Sequence, residues 1–194
     1  MEQVKQFKKY AYLALMFAPL VVSLFVVWFL PETIVSRMDL AGNVTATASR
    51  FSIFLFPILV AILGFAIRIA SSSPKLTGGN VRAARSISWI VLLLLNVIAY
   101  FQFWLYLGGM TAGAQMSRFL TFILGVFFIL IGNLAPKIKE NTKHIGFRAS
   151  WLKNNDAAFR KTQRFFGIAS VVAGVLMMLT GIFMGNNVAI LVAT

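Results

Sequence analysis

Side chains able to perform acid–base, nucleophilic or metal chemistry are scarce in this 194-residue chain. It contains one histidine, His144, with five acidic residues and no cysteine. A lone histidine beside one nearby carboxylate, Glu140, does not complete a zinc site. No serine lies in a Gly-x-Ser-x-Gly elbow. We therefore predict no catalytic residue, no metal site and no cofactor, and we do not expect an enzyme.

Basic side chains, by contrast, are numerous and clustered. Of the 18 lysines and arginines, eight lie within residues 136–164, where only Glu140 and Asp156 oppose them. A net charge of +13 would suit nucleic acid, but these residues stand beside long apolar runs. That placement predicts orientation in a bilayer and attraction to anionic lipid headgroups, and no direct contact with nucleic acid.

The apolar content of the chain requires a membrane. Hydrophobic residues make up 59% and the mean hydropathy is +0.84, whereas soluble domains contain ~45–50% apolar residues. A spanning helix needs roughly 20 apolar residues, and five windows come close to this length: 11–30, 51–70, 87–108, 119–135 and 165–184. We predict an all-α fold, a single integral-membrane helix bundle over 1–194 with about five transmembrane helices. An outer loop at 31–50 and a basic connector at 136–164 join the spans.

The orientation of the bundle follows from the basic residues near the span ends. Fifteen of them flank one side, at the N-terminus, at residues 68–85 and in the connector 136–164. The opposite side has only Arg37, Arg50 and Arg118. We therefore predict a cytoplasmic N-terminus and connector, with the outer loop and the C-terminus outside.

One polar side chain, Asn96, lies midway along the third window. An unpaired amide is costly in hydrocarbon, so Asn96 should face other helices or a wet cavity. Two interpretations stay open, a hydrogen bond between helices and a contact with a ligand or ion. No Asp or Glu lies inside any window, which disfavours proton- or cation-coupled transport.

The two polar loops contain signals of local order. The outer loop begins where Pro31 closes the first helix and turns at Gly42, so it is either a tight linker or a small ordered cap. In the connector, Pro136 prevents continuation of the fourth helix. Residues 154–156, Asn-Asn-Asp, supply cap chemistry for a new helix.

The connector resembles the signature of the SdpI-type bacterial immunity proteins. That signature reads Gly-Asn-x-x-Pro-Lys, then Gly-(Ile/Leu)-Arg-Thr-Pro-Trp, then Trp-x-Lys-Thr-His-Arg and a glycine. Phe159 and Gln163 stand at the positions of the last Trp and the His. The matching residues are Gly132, Asn133, Pro136, Lys137, Gly146, Arg148, Trp151, Lys161, Thr162, Arg164 and Gly167.

The outer loop resembles the domain of unknown function that precedes this signature in the same family. Pro31, Ile34, Gly42 and Ser49 match its pattern, and Arg50 replaces a lysine. With both blocks in order, the chain is identified as a divergent member of the SdpI-type family.

The resemblance implies a non-enzymatic, multi-pass protein of the bacterial cytoplasmic membrane that protects against a membrane-active peptide toxin. It further implies that the outer loop meets the toxin and that residues 137–164 meet a cytoplasmic repressor. Two alternatives remain open. Asn96 and Gln102 would suit a transporter or a protein that binds lipids or small molecules, and the connector would suit a scaffold that binds only anionic lipid.

Overall fold

The structure is a computed structural model and describes residues 2–38, 44–72, 78–108, 113–138 and 156–183. This part of the chain forms five α-helices and one pair of strands. The helices are α1 (Glu2–Val26), α2 (Leu55–Ser71), α3 (Gly78–Leu107), α4 (Gly113–Leu134) and α5 (Asp156–Phe183). The strands are β1 (Thr33–Met38) and β2 (Val44–Ser49).

All five helices are long and apolar enough to cross a membrane. Short 3-10 turns extend three of them, at Val27–Phe29, Arg50–Phe54 and Ala135–Lys137. Only 17% to 33% of the most apolar window of each helix is buried inside the protein, so lipid has to cover most of the remaining apolar surface. The predicted all-α membrane fold with five spanning helices is confirmed, while the orientation of the termini stays a prediction.

Three helices begin well before their apolar windows. α1 begins at Glu2 rather than near residue 11, and α3 begins at Gly78 rather than near residue 87. α5 begins at Asp156 rather than near residue 165, as the cap chemistry of residues 154–156 predicts. The windows mark only the length that suits hydrocarbon, whereas Ala and Arg continue a helix equally well in the polar layer. In the first turn of α5, the Asp156 carboxylate complements the positive end of the helix dipole.

The outer loop contains a β-hairpin, which the all-α prediction did not include. β1 and β2 pair antiparallel, with Thr33 opposite Ser49, Ile34 opposite Ala48 and Val35 opposite Thr47. Beyond Val35 the pairing is irregular on both sides of Arg37. Of the two interpretations left open for this loop, the small ordered cap is the one observed.

The chain divides into two compact units, and the first contains the hairpin. It comprises Met1–Phe65, Leu92–Leu120 and Met184–Thr194. Inside it, the Tyr12 hydroxyl donates a hydrogen bond to the Gly64 carbonyl (2.9 Å). A hydrophobic cluster in this unit joins the end of α1, β1, the start of the second span and α3, through Val26, Val27, Leu30, Ile34, Ile53 and Phe103.

The second unit comprises Ala66–Val91 and Thr121–Phe183. It contains the close contact between α4 and α5 and a smaller buried cluster of Ala83, Ile138 and Phe159, against which Ile87 packs. The prediction of one integral-membrane domain over residues 1–194 stays a prediction.

Candidate functional site

The hairpin is fixed to the helix ends by one apolar side chain and by its closed base. Ile34 is only 5% exposed and belongs to the cluster that contains Leu30 and Ile53. At the base, the Arg50 N–H donates to the Glu32 carbonyl (2.9 Å). A two-stranded hairpin is marginally stable by itself, so these contacts account for its order.

Opposite the buried face, the hairpin presents a small polar surface. Thr33, Thr47 and Ser49 are exposed, whereas Ala46 and Ala48 are half-buried on the side of Ile34. This alternation follows from the period of two along a strand. The hairpin is therefore oriented, with one face held by the helix ends and the other exposed.

Arg50 links the hairpin base to the aromatic residues around it. Its guanidinium carbon lies 5.9 Å from the centroid of the Trp28 ring and 5.5 Å from that of Phe51, within the ~6 Å range of cation–π attraction. Trp28 and Phe51 are both exposed. Exposed aromatic rings at the end of a spanning helix are typical of the membrane–water interface, which predicts this level for the hairpin base.

The predicted outer motif residues thus take different roles. Ile34 is buried, and Arg50 contacts aromatic rings. Pro31 is exposed, and Ser49 is exposed and accepts a long hydrogen bond from the Phe51 N–H (3.5 Å). Gly42 lies outside the described residues.

Glycines bring α4 and α5 into backbone contact. A β-carbon added to Gly125 would lie 2.6 Å from the Gly174 carbonyl oxygen, and one added to Gly132 would lie 2.6 Å from that of Gly167. Gly125 and Gly132 are seven residues apart on α4, and their partners Gly174 and Gly167 are seven residues apart on α5. The two helices therefore run antiparallel, with glycines facing each other at every second turn. Such contacts let membrane helices gain packing energy at close range.

The turn after α4 continues this contact along α5. A β-carbon on Gly167 would meet the Pro136 ring at 2.9 Å, and Ile138 packs in the same buried cluster as Phe159. Lys137 lies between these two anchored residues and is exposed. The start of α5 is therefore held against the residues that follow α4.

The predicted cytoplasmic motif separates into buried and exposed positions. Phe159 and Gln163, at the Trp and His positions of the family pattern, are 0% and 1% exposed, and Gly167 is buried with them. The exposed motif residues are Asn133, Pro136, Lys137, Lys161 and Arg164, and Thr162 is half-buried. Gly146, Arg148 and Trp151 lie outside the described residues.

Asn96 is buried, 3% exposed, in the first unit. Its Nδ2 donates to the Leu92 carbonyl one turn earlier in its own helix (2.9 Å), and its Oδ1 has no hydrogen-bond partner among the described residues. This hydrogen bond lies within α3, whereas one of the two interpretations expected a hydrogen bond between helices. Gln102 similarly donates to the Tyr106 hydroxyl in the same helix (3.2 Å).

Sequence reasoning missed Gly125 and Gly174. The signal that could have found them is their seven-residue distance from the motif glycines Gly132 and Gly167. Within the described residues, no group of three His, Cys, Asp or Glu is placed to hold a metal ion, and His144 lies outside them.

Comparison with known families adds to this geometry. A family model described as the SdpI/YfhL protein family matches residues 137–194, and one described as a domain of unknown function (DUF1648) matches residues 14–61. These two matches, in this order along the chain, confirm the resemblance to the SdpI/YfhL family. The first match contains the exposed basic residues of α5, and the second contains the whole hairpin. No curated protein and no solved structure matches the chain.

The family match at residues 137–194 and the five spanning helices together support a multi-pass membrane protein of the SdpI type. SdpI proteins are an immunity-type family and are not known as enzymes. The recognition made from the connector and the outer loop is thereby confirmed.

Proposed function

We propose that this protein gives its bacterial host immunity to a membrane-active peptide toxin. It acts in the cytoplasmic membrane without catalysis, and the hairpin is the part that contacts the toxin. The observation that carries the proposal is the anchored hairpin inside the matched outer domain. It holds a strand at the level of the interfacial aromatic rings, where a membrane-active peptide arrives.

The chemistry of β2 suits an extended peptide. β2 has no charged residue and no proline, whereas β1 carries Arg37 beside irregular pairing. Charges and irregular pairing are the usual protection of an edge strand, and an edge without them accepts further strands. Added strands bind through backbone hydrogen bonds. Such bonds are stronger near the apolar layer, where water competes less.

A pair of lysine substitutions tests this role of β2. Thr47→Lys places a charge on the β2 edge, and Thr33→Lys places the same charge on the same face of β1. We expect Thr47→Lys to reduce protection of a sensitive strain at least tenfold and Thr33→Lys to leave protection within about twofold. Equal protection by both variants, at equal membrane levels, would contradict docking at β2.

The second part of the proposal is signalling to a cytoplasmic repressor through residues 137–164. Two observations support it. Lys161 and Arg164 are exposed, and the buried motif residues hold α5 in place. The double variant Lys161→Arg with Arg164→Lys keeps the charge but exchanges the two head groups. A repressor that reads the motif would lose toxin-dependent recruitment to the membrane, measured by fluorescence microscopy. Unchanged recruitment would favour plain attraction to the charged surface.

A second candidate function is binding or transport of a small molecule, which the buried Oδ1 of Asn96 favours. An acceptor held in an apolar setting is suited to a hydroxyl or amine donor. Substrate-dependent flux in proteoliposomes that disappears in Asn96→Leu would establish this function over immunity.

A further inference from the structure

The residues around the turn after α4 form a cluster of exposed positive charge. We call Lys137, Arg160 and Arg164 the basic junction. All three are exposed, and none forms an ion pair with a carboxylate within the described part of the chain. The only acidic residue of the second unit that the structure describes is Asp156.

The packing of α5 against the turn after α4 places these three residues at the same end of the helix pair. Pro136 contacts Gly167 and Ile138 packs with Phe159, so Lys137 is held alongside the two intervening turns of α5. Arg160 and Arg164 are four residues apart within those turns and project from one side of the helix. The buried contacts therefore fix the backbone positions of the three residues relative to one another.

The position of the junction along α5 coincides with a lipid headgroup layer. The apolar part of α5, residues 165–183, would extend about 28 Å at ~1.5 Å per residue, close to the ~30 Å hydrocarbon thickness of a bilayer. Arg164 then lies at the hydrocarbon boundary. Arg160 lies one turn, about 6 Å, further out, within the polar layer of ~5–8 Å on each side.

Below Arg164, the same side of α5 is apolar and open. Ile168 and Val172 follow at intervals of four residues and are 66% and 53% exposed. They form a surface on which an acyl chain can lie directly beneath the cationic groups. A free anion would use only the upper half of this surface.

We propose that the basic junction is a binding site for one anionic phospholipid. The lipid phosphate contacts Lys137, Arg160 and Arg164, and an acyl chain lies along Ile168 and Val172. Arginine suits this role because its guanidinium pairs with two phosphate oxygens at once. The site shares Arg164 with the proposed repressor surface, but lipid binding to it requires neither toxin nor repressor and is tested in their absence.

Native mass spectrometry of the detergent-solubilised full chain, with added lipid, tests the proposal. The probes are phosphatidylglycerol, phosphatidylcholine with matched chains, and inorganic phosphate. The site variant replaces Lys137, Arg160 and Arg164 by Gln, and the control replaces Lys9, Arg82 and Arg85, which are also exposed. Both variants lose three charges, and circular dichroism shows whether each keeps its helices.

We expect phosphatidylglycerol to bind the parent chain at least tenfold more tightly than phosphatidylcholine. The site variant should lose this preference, and the control should keep it within about threefold. Equal losses in both variants would overturn the site in favour of diffuse charge attraction. Displacement of the lipid by millimolar inorganic phosphate would overturn the lipid as the ligand and leave a site for small phosphates.

Discussion

Four glycines set the distance between α4 and α5. At each of Gly125, Gly132, Gly167 and Gly174, the atom nearest an added β-carbon is a backbone oxygen, at 2.5 Å to 2.7 Å. Backbone oxygens cannot rotate away as side chains do. These positions therefore need glycine for the close approach, although glycine lowers helix propensity by about 1 kcal/mol relative to alanine.

The contrast with Gly64 gives the first prediction. Gly125→Ala should lower the free energy of unfolding by about 1–3 kcal/mol, the usual cost of overpacking. In Gly64→Ala the nearest atom is the Met16 Cγ at 2.8 Å, which belongs to a flexible side chain, so we expect a change within about 1 kcal/mol. Denaturant titration in detergent measures both. Similar losses in the two variants would contradict the backbone contact.

Asn96 gives the second prediction. An asparagine that joins two helices is worth about 1–2 kcal/mol in membranes, but here the amide donates only within α3 and leaves Oδ1 buried. Removing a buried acceptor that lacks a partner relieves a cost of about 1–3 kcal/mol. Asn96→Ala should therefore leave the free energy of unfolding unchanged or slightly raised, in the same titration. A loss of about 1 kcal/mol or more would show that Asn96 connects helices after all.

The hairpin shows how a marginal element becomes ordered. Its strands are six residues each and would not persist alone in water. Burial of Ile34 among Val27, Leu30 and Ile53 supplies the stability that strand pairing alone does not provide. A hairpin held in this way presents its outer face in one orientation, which a flexible linker could not do.

Removing the Ile34 anchor gives the third prediction. Ile→Ala substitutions in a core cost about 2–5 kcal/mol, more than an isolated hairpin can tolerate. Ile34→Ala should speed amide hydrogen exchange in β1 and β2 at least tenfold and leave α4 and α5 unchanged. Thr47→Ala, on the exposed face, is the control and should change exchange less than about threefold, since cross-strand pairs contribute only ~0.2–1 kcal/mol. Equal exchange in the two variants would show that the hairpin does not depend on Ile34.

At the scale of the whole molecule, the five spanning helices could be predicted because hydropathy is local. A run of about 20 apolar residues determines a span by itself, and Pro136 determines where the fourth helix stops. The hairpin was harder because its strands contain Ala and Ser, and their order depends on the contact of Ile34 with three helical segments and on the closed base. The roles of Phe159, Gln163 and the glycine pairs depend on which helices meet, which composition does not encode.

Orientation in the membrane gives the fourth prediction. The charge asymmetry places the hairpin outside and the start of α5 in the cytoplasm. Because the chain has no cysteine, Thr47→Cys and Ala157→Cys each introduce a single thiol at an exposed position. A membrane-impermeant maleimide should label Thr47→Cys in intact spheroplasts and Ala157→Cys only after permeabilisation. The opposite labelling pattern would reverse the assignment of sides.

The central claim is immunity, and survival of a sensitive bacterium tests it most directly. The strain expresses the parent chain, the Ile34→Asn variant or an empty vector, and is challenged with a panel of secreted membrane-active peptide toxins. The account predicts that the parent chain raises the lethal concentration of at least one peptide tenfold or more, and that Ile34→Asn, at the same membrane level, does not. No protection against any peptide, or full protection by Ile34→Asn, would contradict it.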